Sequence, residues 1–256
     1  MGNFDPVVFF KLMSDVSNWE LTLHFHHKMG LLQDIHHLIM KPNYPCVAAV
    51  SSFLKHDFMS GHYKGFGSGE CAAQLARDLL KFKTEQRRLK SPFYSFWAVF
   101  ENAEVVSEDD YEKKMWSELS AVHAFEIKNT GLQSSEDLPW DSKFSRDPKD
   151  KNFCFCLGGD AYFVVGMHPQ SSRLSRRFPY PVIIFNLYEQ FDDLMKKNTF
   201  APMVQVNRQR ELKFEGSVNP MVEKHGQSWE SIQFSGKNND DQWGCPFKML
   251  VKYVIS

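Results

Sequence analysis

The sequence predicts one α+β domain built on a mainly antiparallel central sheet covered by helices. Three observations lead there. SPFYSFWAVF at 91–100 is dense in aromatic and β-forming residues, as a buried strand is. KNFCFCLGGDAYFVVGMH at 151–168 is two strand-like runs joined around Gly158, Gly159 and Asp160, the pattern of a hairpin. Segments with apolar residues at helical spacing stand before, between and after these runs. The 256 residues suffice for one large core, and neither an internal repeat nor a low-complexity linker divides them.

Taken in order, an apolar run from Pro6 to about Val16 and then WELTLHFHHKMGLLQDIHHLIM, up to Pro42, read as helices; residues 1–40 form a helical extension of the same unit. After the glycine-rich GFGSGE at 65–70, CAAQLARDLLKF opens another helix. A further helix starts at Ser107, three before Asp110 in a capping-box-like arrangement, and sets Met115, Leu119 and Val122 on one face. Residues 129–150 are polar and rich in turn formers, a long surface loop. Beyond the hairpin, PVIIF is a strand and NLYEQFDDLMKK a helix. Residues 200–213 are helical, GSVNPM is a turn, and WGCPFKMLVKYVIS is a compact tail.

Composition narrows the function. Thirty basic against 31 acidic residues leave a net charge of −1, so no global basic field invites nucleic acid. No apolar run approaches the roughly 18 residues of a membrane span. The first ten residues lack a basic region, and Pro6 spoils a myristoylation signal. Five cysteines, an odd number without a secretory signal, point to reduced thiols and a cytoplasmic protein. Aromatic residues at 14% suit either an aromatic-rich core or a flat apolar cofactor.

Several patterns invite chemistry and fall short of it. GFGSGE lacks the last glycine of a dinucleotide fingerprint, and HDFMSGHYK before it does not read as the strand the fingerprint needs. Glu20, His24 and His27 share a helical face, yet neither paired Glu-x-x-His nor His-Glu-x-x-His is present, so packed or solvated histidines are favoured. Cys154 and Cys156 read as small buried thiols on one strand face.

HPQSSRLSRRFPYP at 168–181 is the densest concentration of chemistry. His168 ends a strand and precedes a proline, so a stiff extended backbone holds its ring. Arg173, Arg176 and Arg177 stand at i, i+3 and i+4, and Ser171 and Ser172 are suited to cap a helical turn there, leaving N–H groups free for an anion. Cys46 and Cys245 each sit beside a proline, and either can offer a thiolate to iron.

The stretch FCFCLGGDAYFVVGMHPQSSRLSRRFPYPVIIFN, followed by GSVNPM and WGCPF, resembles the YqcI/YcgG family, from YPC at 44–46 to CPF at 245–247. Characterised members include haem-dependent guanidine N-hydroxylases of the arginine and pre-guanitoxin type. The resemblance implies haem b, with His168 as the iron's axial ligand and Cys46 and Cys245 as alternatives. Ser172, Arg173, Arg176 and Arg177 are then partners for the propionates, and Glu189 and Asn219 bind a cationic guanidine or amine substrate. The reaction expected is N-hydroxylation with O₂, and the chain has no flavin or nicotinamide motif, so electrons come from an external reductase. A haem carrier or sensor without oxygenase activity is the alternative, and a haem-free anion-binding module a third reading.

Overall fold

The computed structural model describes residues 19–132, 135–219 and 230–249. The expected helix at 6–16 and the end of the tail lie outside them, as do the side chains of Glu20, His24 and His27. The helices are α1 (Trp19–Ile39), α2 (Val47–Leu54), α3 (Ala72–Leu89), α4 (Glu108–Thr130), α5 (Tyr188–Lys196) and α6 (Phe200–Glu215). The strands are β1 (Phe58–His62), β2 (Ser95–Val99), β3 (Cys156–Leu157), β4 (Asp160–Met167) and β5 (Val182–Leu187), in the spatial order β1-β2-β5-β4-β3. Only β1 and β2 run parallel, with α3 crossing between them; the other pairings are antiparallel. The expected α+β class holds.

Local chemistry explains the elements the sequence indicated. Ser107 caps α4 by accepting the Asp110 N–H at 3.1 Å, and Met115, Leu119 and Val122 are fully buried along it. The hairpin turns through Gly158 and Gly159, both at positive φ, between the paired Leu157 and Asp160. A two-residue turn with positive φ at both positions matches the twist of antiparallel strands, and glycine takes it without strain.

Two elements depart from expectation. Residues 58–62, which do not read as a strand in the sequence, form the edge strand β1, and residues 47–54, assigned to no element there, form α2. β1 offers no alternation to read, since every one of its residues is half-buried. The arginine segment also differs: a 3₁₀ turn over Leu174–Arg176 replaces the expected serine-capped helical turn, with Arg173 extended at its start and no side-chain cap.

Strand periodicity sorts the core onto the two faces of the sheet. Phe96, Ala98, Tyr162, Val164, Ile183 and Phe185 pack with α3 and α4. Trp97, Val99, Met167, Val182 and Ile184 join Leu31, Ile35 and Leu38 of α1 on the other face. Each large side chain buried here contributes on the order of 1.5–3 kcal/mol. At Gly166 the first face is so close that an added Cβ would lie 2.6 Å from the Tyr111 ring; the bare backbone lets Tyr111 reach the Val182 carbonyl at 2.6 Å. Among the described residues, no helix is long and apolar enough to cross a membrane.

Candidate functional site

The face of the sheet opposite α3 and α4 carries a cavity of about 250 Å³. That is slightly under the roughly 300–1,000 Å³ of typical small-molecule sites. Its floor is the outward set of three strands: Ser95 and Trp97 of β2, Phe163, Val165 and Met167 of β4, Ile184 and Asn186 of β5. α2 and α6 wall it, the latter through Phe200, Met203, Val204, Asn207, Arg208 and Glu211. The arginine turn closes one end.

Cys46 stands in this wall as the residue before α2. Its backbone is extended and its Sγ accepts the Ala49 N–H at 3.4 Å, the contact of an N-cap. Burial raises the thiol's pKa; the N–H groups of Ala49 and Ala48 and the charges of Arg176 and Arg210 act against it. α2 is tied across the cavity by Val47 N–H donating to Asn207 Oδ1 of α6 at 3.1 Å.

The three arginines diverge. Arg173 donates to Glu211 Oε1 at 2.6 Å, and both side chains are little exposed. Arg176 lines the cavity and donates to the Gly166 carbonyl at 3.0 Å; burial lowers its pKa, with Tyr44, Tyr111 and Cys46 among the groups around it. Arg177 turns outward and holds the carbonyls of Ser171 and Ser172. The backbone N–H groups expected to await an anion already have carboxylates of this chain: Ser172 N–H and Oγ donate to Glu108, Leu174 and Ser175 N–H to Glu215.

His168 is fully buried and does not line the cavity. Strand parity gives the reason, because Met167 faces the cavity and the next side chain must face the other way. Its ring stacks on Tyr111 of α4 at 4.2 Å, and burial lowers its pKa to about 4. Cys245 is also on that side, packed against the α3–α4 core, its thiol pushed up to about 12 by burial. Glu189 lies away from the cavity, in a polar cleft with Asp141, Lys143 and Asp160, where both its oxygens take Arg87. Asn219 does line the cavity, and its N–H donates to Glu211 Oε2 at 3.2 Å.

Of the nine candidate residues, the cavity thus gathers Cys46, Arg173, Arg176 and Asn219. Glu211, Trp97 and Asn207 escaped the sequence reading. Glu211 and Glu215 stand one turn apart on α6, a spacing that places both acids on one face.

The glycine loop resembles a phosphate cradle more than the sequence indicated, since β1 precedes it and α3 follows. Gly65, Gly67 and Gly69 all have positive φ, but Gly67 and Gly69 donate their N–H groups to the buried Glu118 carboxylate, which also accepts from Cys71 Sγ. A side chain of this chain occupies the anion position. Among the described residues no group of His, Cys, Asp and Glu is placed to hold a metal ion by itself.

A family model described as the YqcI/YcgG family matches residues 35–248. The uncharacterized protein YqcI of Bacillus subtilis (strain 168) is 24% identical over 217 residues, covering 81% of each chain. The uncharacterized protein YcgG of the same organism is 24% identical over 218 residues with the same coverage. No solved structure matches the chain.

Proposed function

The chain belongs to the YqcI/YcgG family, and from that premise we propose that it is a haem-dependent monooxygenase that N-hydroxylates a guanidine or amine. The observation that carries the reading is Cys46 at the start of α2, in the wall of an apolar cavity that also contains Arg176. The donor set suits haem b: a thiol at a helix N-terminus for the iron, an aromatic and aliphatic strand floor for the macrocycle, and a guanidinium for a propionate. These features favour Cys46 over His168 as axial ligand, and Arg176 over Ser172, Arg173 and Arg177 as propionate partner. When bound, haem held by Cys46 would supply O₂ activation, one oxygen atom entering the N–H bond and the other leaving as water with two electrons from an external donor and two protons from solvent.

The protein's own groups do the rest. The Ala49 N–H and the helix N-terminus stabilise negative charge on Cys46 Sγ. Arg176 faces the same space as a cation whose hydrogen bond is to a neutral carbonyl, so an incoming carboxylate gains a charge-assisted partner. Trp97, Val165, Phe163 and Ile184 make the floor apolar.

The test begins with an absorption spectrum of protein produced with haem supply. A Soret band is expected in the wild type and in His168→Ala, and its loss or shift in Cys46→Ala with circular dichroism unchanged. Arg176→Gln should weaken haem on the order of ten- to a hundred-fold. Labelled dioxygen, a reductant and a panel of guanidines and amines should then yield labelled hydroxylated product. Absence of a Soret band in the wild type would overturn the reading.

A further inference from the structure

We infer that Glu211 is the carboxylate by which this cavity selects a cationic ligand, with the Arg173 guanidinium standing in the position that the ligand's head group shares. The inference rests on the reading of this cavity as a substrate site and assigns the residue that sets its specificity. Among the described residues lining the cavity, Glu211 is the one acid, while Arg173, Arg176 and Arg208 are cations. A cation entering an apolar enclosure needs a counter-charge, because an unpaired buried charge is costly. Glu211 is the one acid in the described lining, and it already carries the Arg173 ion pair, so an incoming head group must share it with Arg173.

Its neighbours hold it ready. Glu215, one turn further along α6, is consumed by the N–H groups of Leu174 and Ser175 at 2.9 and 2.6 Å. Glu211 takes one donor on each oxygen: Arg173 Nη2 on Oε1 at 2.6 Å and the Asn219 N–H on Oε2 at 3.2 Å. An ionised carboxylate has about four acceptor positions, so the group can accept a second cation without giving up either contact. That Arg173 already docks there shows that the site fits a guanidinium. Asn207 and Gln233 in the same cavity wall offer amides but no charge, so a neutral ureido isostere lacks the charge-assisted term that a guanidinium gains.

The experiment is a titration of the full chain with arginine and with its neutral isostere citrulline, before and after haem loading. Wild type should prefer arginine on the order of ten- to a hundred-fold. Glu211→Gln should abolish that preference while keeping the Soret band. Arg173→Gln should act in the opposite direction, tightening arginine and raising its thermal midpoint with arginine but not citrulline, because the carboxylate has lost its resident counter-charge. If Glu211→Gln keeps the preference, or if both variants weaken arginine alike as a purely structural pair would, the inference fails. Should Glu211→Gln not fold, the direction of change in Arg173→Gln decides. A Soret band without arginine preference removes this inference and leaves the haem reading; a Glu211-dependent preference in a protein without a Soret band does the reverse.

Discussion

At the residue scale, His123 shows how burial sets a titration. It is fully buried on α4 between the rings of Trp140 and Phe247, neither ring nitrogen has a hydrogen-bond partner among the described residues, and its pKa falls to about 4, through burial first and the Arg146 charge second. The folded value lies below the ordinary 6.5, so the unfolded chain takes up the proton first. Stability is therefore complete above about pH 6.5 and lost as pH falls toward the folded value, at up to about 1.4 kcal/mol per pH unit for one such group. His168 has the same sign and cause. His123→Phe, near in shape and without a proton to bind, should show a shallower fall in urea midpoint between pH 7 and pH 5 than wild type. Equal slopes would assign the acid sensitivity to other groups. The sequence marks His168 as unusual because of its proline and arginines, yet gives no sign of which sheet face its ring takes; Cys46 is legible as an alternative ligand beside a proline, but its place at a helix start is not, since cysteine is outside the usual helix-capping set of Ser, Thr, Asp and Asn.

At the element scale, the stretch from β1 through the glycine loop to α3 depends on one distant side chain. Glu118 holds Gly67 N–H at 3.0 Å, Gly69 N–H at 3.4 Å and Cys71 Sγ at 3.2 Å, and burial raises its pKa against those contacts. Glu118→Ala strands these donors and should cost about 2–4 kcal/mol in chemical denaturation, with Glu118→Gln losing less because its carbonyl still accepts. A loss under about 0.5 kcal/mol in both would show that the loop keeps its shape without the carboxylate. This tie spans about fifty residues of chain, so GFGSGE alone invites a nucleotide and only the fold reveals its anion. The hairpin is legible because its determinants are adjacent: paired glycines between alternating runs. α4 is legible from its cap and apolar face, whereas β1, with a serine, a glycine and a histidine in five half-buried residues, carries no pattern.

For the whole molecule, the sheet divides structure from ligand. One face is the aromatic core under α3 and α4; the other is the cavity floor, walled by α2 and α6. The arginine cluster is visible in the sequence, but the site combines residues from Ile35 to Gln233, and the divergence of the three arginines, two lining the cavity and Arg177 turned outward, follows from a 3₁₀ turn that helical spacing does not encode. With only about 250 Å³ enclosed, seating a macrocycle requires a wall to move. α6 is that wall: polar clasps from Asn207, Glu211 and Glu215 hold it to α2, Arg173 and the arginine turn, and Val206 and Leu212 remain exposed. Polar contacts between exposed elements open at lower free energy than a packed core. Hydrogen exchange on haem loading should therefore change at the amides of α2 and α6 and at Leu174 and Ser175, where the Glu215 bonds either persist and gain protection or break and lose it. The amides of α3 and α4 should exchange as before, because the strands separate them from the cavity. Altered exchange centred on α4, beside Tyr111 and His168, would place the cofactor on the other face of the sheet and return His168 to the iron.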